Sequence, residues 1–168
     1  MRHPTPLALL LTIPLAVGLL AGCSPADDTA KGDDGYLSLS EVQAEYDATI
    51  AAFPYELPSG VEFPAQSQQP TQEAVFQKGA GLAQAYQFWE CAWMDEYLQQ
   101  QGADQAAADA ALAQLEAGAS STYRTQYVDD PEQVWTQTVL GQAKLGDPSI
   151  LGDFYQSDCR WYRTETGQ

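Results

Sequence analysis

VFQKGAGLAQAYQFWECAWMDEYLQQQ, residues 75–101, is the stretch whose pattern decides the fold. Val75, Gly79, Leu82, Tyr86, Trp89, Trp93 and Tyr97 recur at steps of three and four. At 3.6 residues per turn they fall on one face of a helix. Phe76, Ala83, Cys91, Met94 and Leu98 widen that face. The pattern predicts a long helix over about 72–101, stopped at Gly102, with the rest of the domain built around it. Gly79 and Gly81 disfavour helix by about 1 kcal/mol each against alanine. Such a pair points to the close approach of a neighbouring element.

The flanking chain reads as further helices. Ser38 and Glu41 fit a capping box ahead of Val42, Tyr46, Ile50 and Phe53, predicting a helix over 39–53 that Pro54 ends. Pro54, Pro58, Pro64 and Pro70 make residues 54–70 an extended arm. Leu57, Val61 and Phe63 would let that arm lie across the helices as a strap. Asp104 caps an alanine-rich helix over 105–116, and residues 119–129 read as a partial helix. Asp130-Pro131-Glu132 and Asp147-Pro148 each look like a helix start, predicting helices over 130–145 and 147–159. No strand pattern is long enough to trust. The expected fold is all-α: a small bundle of four to five helices around the central one, with a proline-rich arm, in one domain over 38–168.

Glu90 is the residue of greatest chemical interest. It projects into the apolar arc, where a carboxylate is costly unless paired or hydrogen-bonded. Arg124, Arg160 and Arg163 are the expected partners. A pocket acid would need a second carboxylate about 5–9.5 Å away for glycoside hydrolysis. On the wheel Asp95 falls nearly opposite Glu90, and Glu96 lies about 120° from it, so neither is a convincing partner. Tyr86, Trp89, Trp93 and Tyr97 are candidate rings for stacking on envelope sugars, although aromatics at helical spacing mostly build core. Trp161 and Tyr162, flanked by Arg160 and Arg163, offer cation–π contacts.

The N-terminus carries the address. Met1-Arg2-His3 is followed by a short apolar run over 7–20, too short for a bilayer core that needs about 20 residues. Leu20-Ala21-Gly22-Cys23 closes it and resembles the lipobox of bacterial prolipoproteins. That resemblance implies a signal peptide over 1–22, a diacylglyceryl thioether on Cys23 and cleavage before it. The mature chain would then hang from the membrane by two acyl chains, which suffice for stable anchoring. Residues 23–37 are acidic and rich in breakers, and read as a disordered tether. Their acids come as adjacent pairs, unlike the alternating ligands of a calcium loop.

Removal of 22 from 168 residues leaves 146, and the loss of Arg2 moves the formal charge from −16 to −17. Such a surface repels nucleic acid and anionic lipid headgroups. The only histidine, His3, would leave with the signal. The mature chain then has no histidine general base, no serine–histidine triad and no histidine-bearing zinc site. Cys91 and Cys159 would meet an oxidising compartment and are expected to bridge. No metal or other cofactor is indicated. The expected function is a lipid-anchored, extracytoplasmic, non-catalytic module that serves structurally or binds an envelope protein or glycan. The alternative is a carboxylate-based hydrolase acting on envelope polymers.

Overall fold

Residues 35–70 and 74–168 are described by the structure, a computed structural model. The expected signal peptide, Cys23 and most of the expected tether lie outside them. In chain order the elements are β1 (Tyr36–Leu37), α1 (Leu39–Ala51), β2 (Phe76–Gln77), α2 (Ala80–Gln100), α3 (Gln105–Gly118), α4 (Thr122–Gln126), a π-helical turn (Trp135–Val139), α5 (Leu140–Lys144), α6 (Ser149–Asp158) and α7 (Arg160–Thr166). The fold is all-α, a small bundle around a long central helix with a proline-rich arm. The one sheet described pairs β1 with β2 antiparallel, Tyr36 opposite Gln77 and Leu37 opposite Phe76. Tyr36 and Leu37, read from sequence as the end of the tether, therefore already belong to the folded body.

α2 starts eight residues later than the periodicity suggested. Gly79 adopts φ 94°, and Phe76 and Gln77 pair as strand before it. The glycine brings no side chain to cap the helix. Glu45 of α1 does so instead, its Oε1 accepting from Gly79 N at 2.9 Å and its Oε2 from Gly81 N at 2.8 Å. A carboxylate there satisfies free amides and complements the positive end of the helix. Gly81 lets α1 come that close, since a Cβ on it would lie 2.5 Å from the backbone nitrogen of Tyr46. Ser38 and Glu41 begin α1, with Ser38 N donating to Glu41 Oε2 at 2.7 Å.

α2 is buried on almost every side. Its buried residues include Phe88, Trp89, Glu90, Cys91, Ala92, Met94, Asp95 and Tyr97, a sequence run with few gaps. That is the signature of a helix enclosed by neighbours, not lying on a surface. α3 brings Ala108, Ala111, Leu112 and Leu115 against it, and Asp104 caps α3 by accepting from Ala107 N. Small residues allow tight approach: a Cβ on Gly118 would lie 2.6 Å from Trp89 Cη2. Tyr97 Oη donates to Ala143 O at 3.0 Å and ties α2 to α5. Leu151, Tyr155, Cys159 and Tyr162 close the opposite side from α6 and α7. There the Cys91–Cys159 disulfide joins α2 to the α6–α7 junction, with Cα atoms 5.5 Å apart.

The helix expected over 130–145 begins a turn late. Asp130 accepts from Val134 N at 2.8 Å and Trp135 N at 3.0 Å, while Gln133 takes φ 53°. Pro131 and Glu132 thus lie in a turn before the helix, which opens as the π-helical turn before α5. The last expected helix divides at Cys159, and its second part, α7, reaches Thr166.

The arm does form a strap. Leu57, Val61 and Phe63 pack against the core. Phe63 lies 4.9 Å from Phe53 and 5.7 Å from Phe88, centroid to centroid. The indoles of Trp89 and Trp93 both donate to Glu56 O, at 2.8 and 2.9 Å. Tyr46 Oη donates to Pro64 O at 3.0 Å. Gln43 Oε1 accepts from Ser67 N and Gln84 Oε1 from Gln68 N, both at 2.8 Å.

Candidate functional site

Glu90 is 5% exposed, held in the middle of α2. Its partner is Arg124 of α4, whose Nε donates to Oε1 and Nη2 to Oε2, each at 2.7 Å. Ser121 positions the arginine by capping α4, accepting from Arg124 N. The guanidinium lies 4.0 Å from the centroid of Trp135 and 5.8 Å from that of Tyr123. Burial pushes the Glu90 carboxyl above its ordinary range, and Arg124 draws it back. Two parallel bonds between fork and carboxylate give the pair its fixed geometry. A cleft of about 270 Å³ opens beside it, lined in part by Gln87, Tyr123, Trp135, Phe154 and Asp158.

The other two expected partners stand elsewhere. Arg163 donates to the Gln156 side chain and to Gln156 O, and its guanidinium lies 5.7 Å from the Tyr155 centroid. Arg160 is exposed and faces a separate groove with Trp161. The disulfide brings the α6–α7 junction to α2, but α7 carries both arginines away from Glu90.

The candidate stacking rings are core. Trp89 is 0%, Tyr97 1% and Tyr86 6% exposed. Tyr86 stacks on Tyr123 at 5.7 Å. Trp93 is half-buried, with its indole N–H engaged by the strap. These rings hold the bundle together and present no open stacking platform.

Asp95 lies opposite Glu90, as the helical wheel places it, and the wheel gave no sign of what covers it there. It is buried, because α6 and α7 cover the side of α2 opposite Glu90. Tyr155 Oη donates to Oδ1 and Tyr162 Oη to Oδ2, both at 3.0 Å, and Gln99 Nε2 adds a bond at 2.9 Å. The legible signal was the spacing of Tyr155 and Tyr162 about Cys159, which the disulfide fixes to α2. A cleft of about 430 Å³ reaches Asp95 and gathers Glu62, Glu96 and Glu165 at its walls. No group of three or more acids, cysteines or histidines among the described residues is placed to hold a metal ion.

Burial pushes the phenols of Tyr46, Tyr86, Tyr97, Tyr123, Tyr155 and Tyr162 above their usual value, with Asp95 adding to the effect at Tyr155 and Tyr162. Each folded pKa exceeds the unfolded value of about 10, so the protonated phenols stabilise fully below that pH. The stabilisation is lost as pH rises through the folded values. We expect these six phenolates to appear, in absorbance at 295 nm, only together with loss of the helical circular dichroism. Their smooth ionisation in a folded chain would contradict the packing described.

No family model, curated protein or solved structure matches this chain. No described helix is long and apolar enough to cross a membrane.

Proposed function

We propose that the chain is a lipid-anchored, extracytoplasmic protein of the cell envelope whose helical domain binds or braces without catalysing. The lipobox-like Leu20-Ala21-Gly22-Cys23 supports the placement. The observation that carries the non-catalytic half is the state of the two buried carboxylates. Both oxygens of Glu90 accept from Arg124, and both oxygens of Asp95 accept from neighbouring side chains. A general acid needs a proton to give and a base needs a free lone pair at the substrate. Both acids are instead engaged by donors from within the fold, which supports a structural role for each.

Mass spectrometry of protein from the native host tests the placement. Cys23 is expected to be N-terminal and diacylglyceryl-modified, and Cys23→Ala is expected to release the chain from membranes. A retained leader or an unmodified Cys23 would overturn it. The hydrolase reading draws on the cleft that joins Asp95 to Glu62, Glu96 and Glu165. Incubation of the protein with isolated envelope polymers is expected to liberate no new reducing ends. Liberation abolished by Glu96→Gln would establish the hydrolase instead.

A further inference from the structure

We infer that the groove between the strap and α7 is the ligand site of this domain, and that it takes a neutral oligosaccharide. The inference rests on the envelope placement proposed above, which would put polysaccharide within reach. The groove encloses about 690 Å³, within the range of about 300–1,000 Å³ typical of small-molecule sites. Residues Pro64 to Gln69 form one wall, and Arg160, Trp161, Thr164 and Glu165 form the other.

The walls are fixed before any ligand arrives. Tyr46 holds Pro64 O, Gln43 holds Ser67, and Gln84 holds Gln68 N. Trp161 is half-buried and braced from within by Phe88 at 5.4 Å and Tyr46 at 6.1 Å, both edge-on. A ring so braced loses little freedom when a ligand stacks on it. It combines core bracing with a place in the groove wall.

Arg160 completes the chemistry. The other described arginines are engaged, Arg124 by Glu90 and Arg163 by Gln156, and Lys144 pairs with Glu116. Arg160 makes no ion pair among the described residues and lines the groove. Guanidinium and the amides of Gln66 and Gln68 donate hydrogen bonds, the amides and Glu165 also accept them, and the Thr164 hydroxyl, whose proton goes to Arg160 O, accepts. Hydroxyl-rich ligands need this mixture of donors and acceptors beside an aromatic face. Arg160 and Glu165 cancel formally, so the groove is neutral within a chain of net charge −16. A polyanion would approach against that wider field. An uncharged saccharide meets no such barrier.

The test uses the mature, lipidated protein from its host in detergent micelles. Calorimetric titrations are run with chitotetraose, maltotetraose and mannotetraose. Oligogalacturonate and a mixed-sequence decapeptide serve as charged and peptide probes. At least one neutral tetrasaccharide is expected to bind, with quenching of tryptophan fluorescence. Arg160→Ala, at an exposed position, and Trp161→Ala are each expected to weaken it about tenfold, equivalent to about 1.4 kcal/mol. Because Trp161 also braces the core, Gln66→Ala with Gln68→Ala provides a second variant that leaves packing intact. Its melting temperature is expected to be unchanged and its affinity reduced. Failure of all three neutral sugars, tighter binding of the uronate or peptide, or binding indifferent to every variant would overturn the inference. Saccharide binding with an unmodified Cys23 would sink the envelope placement and leave the groove standing. A lipidated chain that binds none of the sugars would do the reverse.

Discussion

Arg124→Ala is expected to destabilise the domain by about 3–5 kcal/mol, the usual consequence of stranding one member of a buried ion pair. Glu90 sits at 5% exposure with both oxygens on Arg124, and no other basic side chain among the described residues reaches it. The substitution also empties the position over the Trp135 ring, which the guanidinium approaches to 4.0 Å. Urea unfolding should show a lower midpoint at an unchanged slope, since the surface exposed on unfolding hardly alters. The informative companion is the double variant Glu90→Met with Arg124→Met. Removing both charges leaves nothing unpaired, and such exchanges are commonly neutral or better. A loss below about 1 kcal/mol in the single variant would show that Glu90 finds water or another donor.

Removing the Cys91–Cys159 bridge is the second large effect. The two cysteines stand 68 residues apart in sequence, so the chain-entropy relation gives about 4 kcal/mol. For a domain of this size that corresponds to a melting temperature lower by about 10–20 °C. Cys91→Ala with Cys159→Ala, followed by circular dichroism, measures it. The effect should fall on α6 and α7 first, because the bridge fastens their junction to α2. Both cysteines are buried, at 2% and 1% exposure, so the intact protein is expected to resist mild reductant until it unfolds. A melting temperature within about 2 °C of the parent would mean that aromatic packing alone holds the junction.

Much of this architecture was legible before any coordinates. Ser38 with Glu41, Asp104, and the prolines of the arm are local signals, and local signals gave α1, α3 and the strap. Glu90 stood out because a charge on an apolar arc demands a partner. Choosing that partner needed tertiary information. Arg160 is next to Cys159 in sequence, yet helix geometry turns it outward, while Arg124 arrives from a short helix with no distinctive pattern. The start of α2 was misread because Val75 and Gly79 keep a four-residue step that suits helix. The φ of 94° at Gly79 and the pairing of Phe76 with Leu37 override it. The burial of Asp95 was not legible for a related reason. A wheel assigns one inner face to a helix, and α2 has neighbours around most of its circumference. At 130–133, Asp130 bonds four and five residues onward, and the cap signal names a start without fixing its distance.

The strap is gripped by its peptide carbonyls and amides at Glu56, Pro64, Ser67 and Gln68. Main-chain atoms are common to all residues, so the outward side chains at 65, 66 and 68 are uncoupled from the grip. Mutational drift can rewrite that rim without loosening the fold. Related chains would then share one scaffold and differ in what its lip touches.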